Sequence, residues 1–261
     1  MYNRSMIFSS GLSGYVERRG AITPAVERFP MWQIDEAYNS AIHRAFDFVH
    51  APIWEYNDVE HYHDRLNCCS HGEDNLQLVA LHIAAFGLPT GVLTGRGTLS
   101  DYFSAVILHD VGKMDMPDVS IWSRPKSRLS AREIAMINAH PNRAAAIFSR
   151  YEQAFGITLP PIYREVAQNH HEKCNGNGSP AGLKAPDISY VVQLSTFADQ
   201  INGRRENRPY QHIKYSLRAA FYEVCKGAGT EYSWELIEQF LQLFTSNIQE
   251  HVPGYGWLGR W

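Results

Sequence analysis

Ala105-Val106-Ile107-Leu108-His109-Asp110-Val111-Gly112-Lys113 sets two metal-competent side chains next to each other at the end of an apolar run. A neutral imidazole and a carboxylate on adjacent residues can bind one cation and bridge it to a second. Residues of the same chemical kind recur at His71, His140, His170-His171 and Asp199, at intervals that helices can bring together. Nitrogen and oxygen donors without sulfur suit iron or manganese ahead of zinc or nickel, and the donor count fits two ions better than one.

Outward from that run, helix signals follow one another from about residue 68, with no alternating apolar stretch long enough to establish a sheet. One helix is expected near His71 to Phe86, closed by Gly87 and Pro89, and a second from Ser100 that delivers His109-Asp110 at its end. Ser130-Ala131-Arg132-Glu133 is a capping box, opening a helix expected to stop at His140 before Pro141. Pro161 suits the first turn of a helix that leaves His170-His171 at its end, and Asp187 is the expected cap of one carrying Asp199. Further helices are expected over 32–49, 215–225 and 233–248, before an aromatic tail at 251–261. Residues 1 to about 30 read as an irregular arm. The expected fold is all-α, a helical bundle with additional N-terminal and C-terminal helices.

The chain has 261 residues, 44% of them hydrophobic, enough for one large domain with an extension. A formal charge of −3 argues against a broad footprint for duplex nucleic acid, but leaves room for a small anionic ligand held by local cations. Cys68, Cys69, Cys174 and Cys225 form no CxxC pair and read as reduced thiols. No stretch has the length of a signal peptide or a membrane span, so a cytoplasmic location is expected. His82 reads as a structural histidine, and His61-Tyr62-His63-Asp64 as an isolated cluster apart from the ligand set.

The order of motifs then carries a resemblance. His109-Asp110-Val111-Gly112-Lys113, Met116-Pro117-Asp118, His140-Pro141, His170-His171-Glu172, Asn175 to Pro180, Gly182-Leu183-Lys184, Ala198-Asp199 and Arg208-Pro209-Tyr210 together resemble the HD-GYP family of the HD phosphohydrolase superfamily. The resemblance covers roughly residues 68 to 250. It implies an all-helical, metal-dependent phosphodiesterase acting on a cyclic dinucleotide, chiefly cyclic di-GMP, through attack on phosphorus by a hydroxide bridging two metals. Carried over by position, His71, His109, Asp110 and Asp199 bind one metal, and Asp110, His140, His170 and His171 the other. Lys113 and Arg208 are the implied phosphate-facing cations, with Gly178, Ser179 and Pro180 lining the substrate.

Ser179 stands where the family has its name-giving tyrosine, and Asn175 where it has an aspartate. Asn67 replaces a glutamate that helps some members hold a third metal, so two ions are expected here. The implied organisation is an extension over 1–67, the phosphohydrolase domain over 68–250 and the tail. A protein partner is left open through the altered loop or the N-terminal arm. Two other readings share these ligands: a binding or regulatory protein that retains metals but hydrolyses poorly, and a diiron oxygenase of the same superfamily. The glycine loop and Arg208-Pro209-Tyr210 favour the phosphodiesterase.

Overall fold

The computed structural model describes residues 25–206 and 215–245. Most of the expected N-terminal arm, the Arg208-Pro209-Tyr210 segment and the tail at 251–261 lie outside these residues. Nine α-helices carry the described chain: α1 (Met31–Val49), α2 (Val59–Phe86), α3 (Leu99–Ile107), α4 (Ala131–Asn138), α5 (His140–Phe155), α6 (Pro161–Asn169), α7 (Tyr190–Arg205), α8 (Leu217–Cys225) and α9 (Trp234–Thr245). The strand pairing among the described residues is β1 (Val26–Glu27) antiparallel to β2 (Leu88–Pro89).

Helix α3 is the axis of the bundle. Tyr102, Phe103, Ala105, Val106 and Ile107 are all buried, so it is apolar around its circumference and is enclosed by α1, α2 and α6. It begins one residue before the expected Ser100, at a capping box in which Thr98 Oγ1 accepts from Asp101 N and the Asp101 carboxylate accepts from Thr98 N. It ends at Ile107, with Leu108 as its C-cap immediately before His109. On α1 the inward positions are Ile34, Ala37, Ala41, Ala45, Phe48 and Val49, whereas Phe46 is 60% exposed.

Helix α2 starts well before His71, because Asp58 accepts a bond from His61 N at 2.9 Å and caps it there. It therefore runs unbroken across positions 67 and 68, and the residues of α1 share one core with α2 and α3. At Gly72 it lies against the end of α3 so closely that a Cβ would stand 2.1 Å from the Ile107 carbonyl oxygen. Only glycine permits that contact, which sets His71 beside His109 with ring centroids 5.2 Å apart.

Two expected boundaries are corrected. His140 does not end the Ser130-capped helix: α4 stops at Asn138, and His140-Pro141 opens a new sixteen-residue helix, α5. Proline lacks a donor that the first helical turn would leave unpaired, so Pro141 starts a helix as readily as it ends one. Asp187 closes a short 3-10 turn, Ala185–Asp187, and the N-cap of α7 is Ser189.

Candidate metal centre

Three helix ends and two helix interiors converge on Asp110. His109 and Asp110 follow α3, His140 begins α5, His170 caps α6, His171 follows it, and Asp199 projects from α7 opposite His71 on α2. On one side, His71 Nε2 lies 2.8 Å and His109 Nε2 3.5 Å from Asp199 Oδ1, while His109 Nε2 is 3.3 Å from Asp110 Oδ2. On the other, Asp110 Oδ1 is 3.2 Å from His140 Nε2 and 3.5 Å from His170 Nε2. Donor atoms of His71, His109 and Asp110 lie within 4.8 Å of one another, and so do those of His140, His170 and His171.

The backbone fixes which nitrogen faces inward. His109, His140 and His170 each present Nδ1 to a carbonyl three residues earlier, Val106 at 2.9 Å, Ile137 at 2.6 Å and Ala167 at 2.9 Å. A ring that donates Nδ1–H to a carbonyl keeps the Nε2 lone pair for a cation. His71 turns Nδ1 to the Glu206 carboxylate to the same effect. Asn75, one turn after His71, donates to Asp199 Oδ1 at 3.3 Å and accepts from Asn202 at 3.0 Å, which links α2 to α7 behind the ligands. His109 Nε2 and Asp110 Oδ1 are buried without a hydrogen-bond partner, a costly arrangement that divalent cations between these donors would relieve. The residues present thus fit divalent metal binding.

The two sides differ in protonation. Burial pushes His71 and His109 down, but Asp199 and Glu206 around the first, and Asp110 and Asp199 around the second, outweigh it and hold both imidazoles above their ordinary range. Burial dominates on the other side, holding His170 down at about 4 and His171 at about 3, with His140 also lowered. A cation entering between His71 and His109 must displace protons, whereas one entering among His140, His170 and His171 at neutral pH does not. Affinity on the first side therefore rises with pH until the raised imidazoles deprotonate unaided. It falls by up to about tenfold per displaced proton for each pH unit below that range. Calorimetric titration of metal-free protein at pH 7, in buffers of different ionisation enthalpy, should resolve a proton-releasing class of sites and a proton-silent one. Release of no protons by either class would contradict this asymmetry.

Above the ligands opens a cavity of about 450 Å³, lined by His71, Lys113, His140, His171 and Asp199 at its floor. Its walls include Trp122, Arg124, Lys126, Lys173 and Arg204, a local excess of cations on a chain of net charge −3. Arg124 is paired with Glu133 at 2.5 Å and Lys173 with Glu231 at 2.8 Å. Lys113 lies in a 3-10 turn, Val111–Lys113, with its ammonium 2.5 Å from Asp110 Oδ2. Gly178 and Ser179 line the cavity, while Pro180 is exposed beside them. Buried Glu172 holds that loop, accepting from Ala181 N at 2.6 Å, Gly182 N at 3.1 Å and Leu183 N at 2.8 Å. Asn175 turns inward on its own loop, accepting from Asn177 N at 2.9 Å.

All seven expected ligands thus meet in one place, and Lys113, Gly178 and Ser179 face the space above them, whereas Arg208 lies outside the described residues. His82 is buried and bonded to Gln239 at 2.7 Å, and His61 is bonded to Asp58 and the Met116 carbonyl, so both are accounted for structurally. Sequence reasoning missed Trp122, Arg124, Lys173, Arg204, Glu206, Asn75 and Asn202. Only the two asparagines carried a signal, standing four residues after His71 and three after Asp199 on the same helical faces.

The family model described as HD domain matches residues 95–236, more than half of the chain. The chain belongs to the HD domain family. Similar proteins include a cyclic di-GMP phosphodiesterase of Thermotoga maritima, 30% identical over 62% of this chain and 44% of that protein. A cyclic di-GMP phosphodiesterase of Vibrio cholerae is 30% identical over 65% of this chain and 34% of its own length. A 3'3'-cGAMP-specific phosphodiesterase of the same organism is 34% identical over 52% of this chain and 24% of its own. The matched part of the HD chain spans less than half of each relative. Among solved structures, Bd1817, an HDG"Y"P protein from Bdellovibrio bacteriovorus, superposes with a TM-score of 0.50 at 15% identity, over 82% of this chain and 72% of that one. That likeness supports the helical HD fold, and the HD-GYP resemblance of the motifs agrees with it. No helix among the described residues is long and apolar enough to cross a membrane.

Proposed function

We propose that this HD domain chain is a phosphodiesterase of a cyclic dinucleotide, cyclic di-GMP first, working with two divalent metal ions, iron or manganese. The observation that carries the proposal is the shared carboxylate: Asp110 faces His109 with one oxygen and His140 and His170 with the other, beneath a cavity walled by cations. Bound divalent ions supply an acidified water and a Lewis acid for a phosphate oxygen. Asp110 holds the two sides in register as the bridging ligand, and the backbone carbonyls keep the imidazole lone pairs aimed inward. Lys113, paired with Asp110 at 2.5 Å, would stabilise the charge that develops on the non-bridging phosphate oxygens. Gly178 and Ser179, on the loop pinned by Glu172, border the bound diester. Arg208 is assigned a second phosphate contact, and a protein partner is assigned to the Ser179 loop or the N-terminal arm.

Anaerobically prepared protein loaded with Fe(II) or Mn(II) should convert cyclic di-GMP or a related cyclic dinucleotide to linear dinucleotide or mononucleotides. Tight binding without any linear product would support the regulatory reading, and oxygen uptake coupled to substrate oxidation would support the oxygenase. Lys113→Ala should retain its metal, measured by elemental analysis, while losing about 10²-fold or more in kcat, the scale on which a transition-state donor acts. Unchanged kcat would remove Lys113 from the mechanism.

A further inference from the structure

The segment between the Val111–Lys113 turn and α4 carries Trp122, which the proposed chemistry leaves without a task. Its indole lines the cavity. Lys113 Nζ stands 4.9 Å from the ring centroid, and the His140 imidazole meets the ring edge-on at 6.4 Å and 82°. The ring therefore touches both the phosphate-facing cation and an imidazole of the candidate metal centre. As a filler of that space it is a poor choice, because its Nε1–H is buried with no acceptor, a standing cost that leucine or phenylalanine would avoid. A large aromatic surface on the wall of a nucleotide-sized cavity is matched to a flat aromatic ring of a ligand.

We infer that Trp122 is a substrate-binding residue on which one nucleobase of the cyclic dinucleotide stacks while the adjoining phosphate sits at Lys113; the inference rests on the phosphodiesterase reading. Within one nucleotide the base and its phosphate are separated by a single ribose, which matches a cation held 4.9 Å from the centre of an aromatic ring. Stacking tolerates base identity, so Trp122 contributes affinity for base-bearing diesters and leaves the choice among bases to other groups.

Loss of the stack should raise KM for the preferred cyclic dinucleotide by about five- to 150-fold in Trp122→Ala, with kcat little changed. Trp122→Leu, which fills the space without a π-face, should behave like the alanine variant, and Trp122→Phe should recover most of the affinity. Thermal unfolding and metal content compare the folding of the three, and the leucine and phenylalanine pair decides the matter if the alanine variant unfolds. A fall in kcat with KM unchanged would make Trp122 a positioning residue for Lys113 and overturn the inference, as would unchanged kinetics in Trp122→Leu. If the wild-type chain turns over no cyclic dinucleotide, the functional reading falls and this inference with it; if it does and the variants keep its KM, only the inference falls.

Discussion

Asp110→Ala should lose metal from both sides of the centre at once and with it all phosphodiesterase turnover. Its two oxygens are divided between His109 on one side and His140 and His170 on the other, so no other residue in the set serves both. Removing a partner that merely orients a ligand costs about 10–100-fold in metal affinity or activity, and removal of a shared ligand should exceed that on each side. There is a second expense. Asp110 is also the counter-charge of Lys113, so the metal-free variant leaves a largely enclosed ammonium unpaired and should unfold more easily by about 3 kcal/mol. Elemental analysis and turnover with Fe(II) or Mn(II) test the first claim, and denaturant unfolding in chelator tests the second. Asp110→Asn separates the two: it keeps the shape and one neutral oxygen acceptor, yet should still fail to hold both ions. Full metal content in Asp110→Ala would refute the bridging assignment.

The legible part of this molecule was the part in which chemistry and periodicity agree. His71, His109, Asp110, His140, His170, His171 and Asp199 all stood out because few structural roles call for so many imidazoles and carboxylates in apolar contexts, and the structure gathers all seven. The Ser130 box and Pro161 marked helix starts because the box satisfies donors that a first turn leaves unpaired and the proline has no such donor to satisfy. His140-Pro141 misled, because the same proline restriction that ends one helix can open the next, and only the tertiary fit of α5 against the Val111–Lys113 turn decides between them. The residues around the ligands were illegible for a different reason. Glu206, Trp122 and Lys173 reach the site from irregular or distant segments, where no period places them, and their roles come from contacts such as His71 Nδ1 against Glu206. The loop differed again: Glu172 and Asn175 were visible as letters of a motif, but the structure gives both the work of holding the loop's own backbone.

Gly112→Ala should inactivate the centre without touching a ligand. Helix α5 enters so close to the Val111–Lys113 turn that a Cβ on Gly112 would lie 1.9 Å from the His140 carbonyl oxygen and 2.7 Å from its carbonyl carbon. Those are backbone atoms of a candidate ligand residue, so the clash cannot be relieved by a rotamer change; either the turn or the start of α5 must move. Movement of the turn shifts Asp110 and Lys113, and movement of α5 shifts His140, in each case opening the 3.2 Å approach between Asp110 and His140. A displacement of about 1 Å can cost about 10²-fold in rate, and forcing extra volume into a packed contact costs about 1–3 kcal/mol. Helix propensity alone predicts the reverse, since alanine is favoured over glycine by about 1 kcal/mol in a helix interior. The sign of the stability change measured by thermal unfolding therefore decides between local propensity and close approach. Metal analysis should show weakened occupancy with His71 and Asp199 intact, and wild-type turnover in Gly112→Ala would show that the turn and α5 have room that this packing denies them.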